Sequence, residues 1–137
     1  THCISSAASD VYKRQPHTDA QKQGSMKTAA FGITGLETAF ATLYTALVRT
    51  KLLTLGQLVN LMSTAPAKLF GLTQAGQLQP GQPADLAIID LDHKFEIKAN
   101  EMYSKGHNSP FIGWQVYGNV LMTLVDGQVV YGKDQQA

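Results

Sequence analysis

The side chains able to do chemistry are few in this chain of 137 residues: four histidines, one cysteine and ten carboxylates. Their spacing narrows them further. His2 and Cys3 adjoin, but no third ligand follows at metal-site spacing, so they make a weak pair for any metal. Glu37 has the type of a general acid or base. It also falls in the first turn of an expected helix, where the helix dipole stabilises an anion, and that structural role is the expectation for it. Asp85 and Asp90 flank an apolar run and read as residues that satisfy turns or backbone groups. His17, His93 and His107 fall in polar, loop-like stretches. Phe31 reads as an anchor for the helix after it, and Gly32 and Gly35 as positions needing special backbone angles. Phe111, Trp114 and Tyr117 read as core rather than as an exposed patch.

The elements that must position these residues follow from periodicity. Residues 16–30 are polar and read as a surface loop with one helical turn around Asp19–Lys22. Leu36, Phe40, Leu43, Tyr44, Leu47 and Val48 recur at spacings of three and four, which predicts a helix with one apolar stripe. Arg49 and Lys51 lie at its C-terminal end, where cations suit the dipole. Thr54 and Gln57 have the spacing of a capping box. The helix after them should bury Leu55, Leu58, Val59 and Met62. Ser63 or Thr64 can end it. Thr64 can then cap a short helix with Pro66 in its first turn, packed by Ala67, Leu69 and Phe70 and ended by Gly71.

Beyond Gly71 the pattern changes to strands. Pro80-Gly81 signals a turn. Residues 84–91, ADLAIIDL, predict a buried strand, and 93–113 a loop with a short strand near Phe95–Ile97. Residues 116–125 and 128–131 predict a hairpin closed by Asp126-Gly127. By periodicity alone the chain is an α+β domain.

Composition bounds the class. Hydrophobic residues make up 44% and charged residues 15%. The second figure is low against about 25% in average proteins, as expected of a piece whose surface is partly meant to be interior. Net charge is +1 with no basic block, which argues against a nucleic-acid partner. A single cysteine excludes an internal disulfide. No run has the length of a membrane span or the form of a signal peptide, so a cytoplasmic protein without a membrane partner is expected.

Four stretches resemble one family. FGITGLETAFATLYTALV at 31–48, LTLGQLVNLMSTAPAKLFGL at 53–72, GQLQPGQPADLAIIDLD at 76–92 and SKGHNSPFIGWQVYGNVLMTLVDGQVVY at 104–131 resemble bacterial dihydroorotases of the amidohydrolase superfamily. The 53–92 stretch is shared across the superfamily. FGITGLETAF and NSPFIGWQVYG are narrower and favour dihydroorotase. The implied fold class is α/β. The resemblance implies that residues 16–72 are the terminal part of a metal-dependent amidohydrolase barrel, here incomplete, and that 73–137 are a segment of the C-terminal β domain.

The resemblance implies reversible, zinc-dependent cyclisation of N-carbamoyl-L-aspartate to (S)-dihydroorotate in pyrimidine synthesis. It implies a small-molecule substrate and a parent enzyme that is a homodimer or associates with aspartate transcarbamoylase. His17 matches a family histidine on the substrate's carboxylate side. Ala30, Phe31 and Gly32 match a Pro-Phe-Gly whose backbone contacts the ring. The family's Thr-Asp-His-Ala-Pro-His survives only as Pro16-His17, and Lys13 stands where the catalytic aspartate belongs. No catalytic residue and no metal ligand can therefore be assigned in this chain, and it is expected to be inactive alone. Thr1–Gln15 matches no part of the family and reads as an artefactual junction. Two alternatives stay open: a related cyclic amidohydrolase such as an allantoinase or hydantoinase, and a non-catalytic partner of aspartate transcarbamoylase.

Overall fold

The computed structural model of the chain describes residues 17–132 except Met26 and Phe31. It divides into two units, Thr1–Thr42 with Phe95–Val116, and Leu43–Lys94 with Tyr117–Ala137. The first fifteen residues, with the reading made of them above, lie outside the described residues.

In the first unit, α1 (Asp19–Lys22) occupies the expected helical turn. Thr18 caps it. The Thr18 Oγ1 accepts from the Gln21 N–H at 3.4 Å, and the Thr18 N–H donates to Gln21 Oε1 at 3.1 Å. This reciprocal box gives a four-residue helix the start that its length alone would not support. The unit's core is small: Ala41, Ile97 and Val116 are buried, with Phe95 and Phe111 packed against them. Phe111 meets Trp114 edge to face at 5.2 Å between ring centroids. Trp114 is half exposed, so of the expected aromatic core Phe111 packs on buried residues and Trp114 sits at its rim.

The next helix, α2 (Ala39–Leu43), runs on as a π-helical stretch, Tyr44–Val48. It begins later than the stripe predicts. Leu36 lies before it and is 80% exposed, whereas Ala39, Ala41, Thr42 and Tyr44 are buried. The buried face thus combines small residues with Tyr44, the one stripe residue that is fully buried. Thr42 tolerates burial because its hydroxyl donates to the Thr38 carbonyl at 2.8 Å.

In the second unit, α3 (Leu55–Val59) starts with the expected capping box: Thr54 Oγ1 accepts from the Gln57 N–H at 3.2 Å, and the Thr54 N–H donates to Gln57 Oε1 at 2.8 Å. Thr64 does not end one helix and cap another. The chain stays helical through a π stretch, Asn60–Thr64, into α4 (Ala65–Leu69). Pro66 has no N–H to continue an α-helical ladder, and the wider π turns lie just before it. The Thr64 hydroxyl instead donates to the Gly76 carbonyl at 2.8 Å. Gly76 is a close approach of backbone to α4. Its φ is +72°, and a Cβ there would lie 2.7 Å from that of Ala67. Leu58 and Ala67 are buried, but Val59, Met62, Leu69 and Phe70 are exposed. The apolar faces expected to pack are therefore only partly covered within this chain.

The strands form one sheet in the order β1 (Leu86–Glu96), β2 (Gln115–Val125), β3 (Gln128–Gly132). β2 and β3 are antiparallel, with Val125 opposite Gln128 and a register shift between Thr123 and Leu124. Asp126 and Gly127 have φ of 49° and 76°, the two positive angles a tight hairpin turn demands. The Asp126 N–H donates to Asp85 Oδ1 at 2.8 Å, tying the turn to the start of β1. β1 differs from expectation in two ways. It is one strand through Glu96, so His93 lies in a strand and not in a loop, and none of its residues is fully buried. Its aliphatic density predicts a strand but does not say that a second layer covers it.

Candidate functional site

Three segments of the first unit converge: α1, the loop 30–37 and the loop 102–109. Lys22, the last residue of α1, carries its ammonium between two carbonyls. It donates to the Ala30 oxygen at 2.7 Å and to the Gly32 oxygen at 2.9 Å, in a partly buried setting. The Ala30 N–H donates back to the Gln21 carbonyl at 3.0 Å. Ala30 is thus held by α1 through both of its backbone groups. Gly32, at φ +127°, takes a conformation open to glycine. Its carbonyl also accepts from Asn108 Nδ2 at 3.3 Å.

The loop 102–109 is fastened to the same stretch. The Thr34 N–H donates to the Asn108 carbonyl at 2.8 Å, and its buried hydroxyl donates to the Gly106 carbonyl at 2.8 Å. Glu37 completes the seam. Its two carboxylate oxygens accept the N–H groups of Tyr103 and Ser104, each at 2.8 Å. Glu37 precedes α2 and does not act as a dipole partner inside its first turn; it is a two-pronged acceptor for a loop 66 residues away. Gly35 is buried with an ordinary φ, so it does not need the special angle expected of it.

Of the expected site residues, His17 is half-buried and immediately precedes the N-cap of α1, while Ala30 and Gly32 are joined to α1 by Lys22. Phe31 lies outside the described residues. One short helix therefore connects the histidine to the loop. Lys22, Thr34 and Asn108 carry no signal of this role in the sequence, because bonds across eight, ten and more than seventy residues have no period. Only the NSPF run at 108–111 marked the second loop as unusual.

Elsewhere two carboxylates are occupied by backbone amides. Asp85 holds the hairpin turn, and Asp90 Oδ1 accepts from the N–H groups of Asp92 and His93 at 2.9 and 3.1 Å. Those two backbone bonds, Asp92 first, hold the Asp90 carboxyl below its ordinary value. Among the described residues no group of three or more His, Cys, Asp or Glu could hold a metal ion. The residues described do not fit a zinc site. Among them, too, no helix is long and apolar enough to cross a membrane.

The model of the amidohydrolase family matches residues 13–131. The chain belongs to the amidohydrolase family. It is 77% identical over 122 residues to a dihydroorotase of Lactiplantibacillus plantarum, covering 89% of this chain and 28% of that protein. It is 59% identical over 117 residues to a dihydroorotase of Lactobacillus gasseri, covering 85% and 28%. Among solved structures, an L-hydantoinase from Arthrobacter aurescens is similar with a TM-score of 0.73 and 42% identity, over 78% of this chain and 24% of that one. A dihydropyrimidinase from Brevibacillus agri is similar with a TM-score of 0.80 and 29% identity, over 85% and 26%. The chain spans a little over a quarter of the length of the curated relatives it matches.

Proposed function

We propose that residues 16–137 are the C-terminal part of a dihydroorotase, which reversibly closes N-carbamoyl-L-aspartate to (S)-dihydroorotate with loss of water. The observation that supports this most is the 77% identity over 122 residues to the L. plantarum dihydroorotase. In this reading residues 16–72 end the barrel and 73–137 belong to the small β domain. His17 meets the substrate's carboxylate side. The backbone of Ala30, Phe31 and Gly32 contacts the ring, and the Ala30 N–H is also donated to the Gln21 carbonyl. Among the described residues nothing accepts from the Gly32 N–H.

Zinc belongs to the complete enzyme in this reading, and its ligands lie outside the residues described. What the described residues contribute is substrate positioning, which converts binding energy into orientation. A cytoplasmic homodimer, or an associate of aspartate transcarbamoylase, goes with the same reading.

The second reading, a hydantoinase, is favoured by the 42% identity to the Arthrobacter enzyme. The test grafts residues 16–137 in place of the matching stretch of the L. plantarum dihydroorotase and assays both ring substrates. Turnover of dihydroorotate and carbamoyl aspartate, with none of hydantoin, is the expected result. Hydrolysis of hydantoin in preference to dihydroorotate replaces the first reading by the second. The 137-residue chain alone is expected to turn over neither.

A further inference from the structure

We infer that Lys22 is a positioning residue for the cyclic-amide substrate, acting through the backbone of residues 30–32. The inference deepens the reading just given and rests on it for the identity of the loop as a substrate contact. The geometry is independent of that reading. A single ammonium bridges the carbonyls on either side of residue 31, at 2.7 and 2.9 Å. Each carbonyl belongs to a rigid peptide unit, so the bridge restrains the units that follow Ala30 and Gly32. Without the bridge, Gly32 has wide conformational freedom, as its φ of +127° shows.

Two further features separate Lys22 from an ordinary surface lysine. The first is its acceptors. Both are neutral backbone carbonyls. The bridge places a cationic side chain beside the loop. That charge favours a substrate carrying a carboxylate, and both carbamoyl aspartate and dihydroorotate carry one. The second is the convergence of supports on the same two residues. Asn108 shares the Gly32 carbonyl, and the Gln21 carbonyl takes the Ala30 N–H. The loop is thereby held by three groups on two segments before any ligand arrives, which is how a site lowers the cost of ordering on binding.

The test uses the full-length graft described above, with Lys22→Met and Lys22→Arg. Methionine keeps the length and apolar stem but makes no bridge. Steady-state kinetics are read on dihydroorotate and on hydantoin, with thermal melts of each variant. For a positioning role, Lys22→Met raises KM for the substrate turned over on the order of tenfold, with kcat changed by less than about threefold. Lys22→Arg, which can still donate to both carbonyls, recovers most of that loss. An unchanged KM in Lys22→Met overturns the inference while leaving the enzyme reading intact. So does a fall in melting temperature and kcat with KM unaffected, which marks Lys22 as a structural residue only. If the graft turns over hydantoin and not dihydroorotate, the dihydroorotase reading fails, and the same KM comparison on hydantoin still decides the role of Lys22. A graft inactive on both rings overturns the two together.

Discussion

Replacing Glu37 by alanine should release the loop at Tyr103 and Ser104 without unfolding the rest of the first unit. The two bonds it accepts are charge-assisted and 2.8 Å long. Such bonds are worth about 1.5–3 kcal/mol each when shielded from water. Glu37 is exposed, and water takes over part of the role, so about 1 kcal/mol per bond is the appropriate scale. Loss of both is then about 2 kcal/mol, or roughly a thirtyfold rise in local opening. Glu37→Gln should lie between. Its amide keeps one acceptor oxygen, but its NH₂ group faces the other backbone N–H, so about one bond survives and opening rises roughly fivefold. Amide hydrogen exchange resolved by residue reads this directly. The Tyr103 and Ser104 amides should exchange faster by these factors, while the Ile97 amide, bonded to the Trp114 carbonyl at 3.0 Å, should not follow. Exchange at Tyr103 and Ser104 within about twofold of the unaltered chain would refute the reasoning, since the bonds would then contribute nothing over water.

Two further outcomes are expected. Gly76→Ala places a methyl 2.7 Å from that of Ala67 at a φ of +72°. Overpacking and left-handed strain together should destabilise the second unit by about 2–4 kcal/mol, seen as a lowered midpoint in denaturant melts. The Asp90 carboxyl is held below its ordinary value of 3.8 by the amides of Asp92 and His93. Its contribution is therefore complete above pH 3.8 and is lost as pH falls through the lower value of the folded chain. An NMR titration should show the Asp92 and His93 amides shifting together with a midpoint below 3.8, and Asp90→Asn should abolish that step.

Local chemistry was legible in the sequence and tertiary coverage was not. The Thr54–Gln57 box and the Asp126-Gly127 turn involve groups two or three residues apart, and their geometry follows from residue type. The strand density of 84–91 was equally plain, though the strand starts at Leu86 and is not buried. Which face a helix buries depends on what lies opposite, and a periodic stripe cannot report that. Of the stripe, Tyr44 is buried, but Leu36 lies exposed before the helix, while Ala39 and Thr42 off the stripe take buried positions. The same limit applied to the candidate site. The resemblance picked out Ala30 and Gly32, but the lysine that fixes them is joined to them only in three dimensions. Glu37 was recognised as structural for a reason, the helix dipole, that the loop amides replaced.

The chain passes between its two units three times, after Thr42, Lys94 and Val116. Neither unit is a contiguous stretch, and this governs how the molecule can be made on a ribosome. The seam between Thr34 and Gly106 joins residues 72 apart, and so does the bond from the Tyr117 N–H to Thr45 Oγ1 in the other unit. Each unit must hold its first half open until the second half has emerged. At about 5–20 residues per second that wait lasts several seconds, during which the apolar residues of the first half of each unit are unshielded. Contacts at such separation also slow folding itself. Synthesis of this chain should therefore depend on whatever protects nascent apolar surface more than a protein of the same size with sequential domains would.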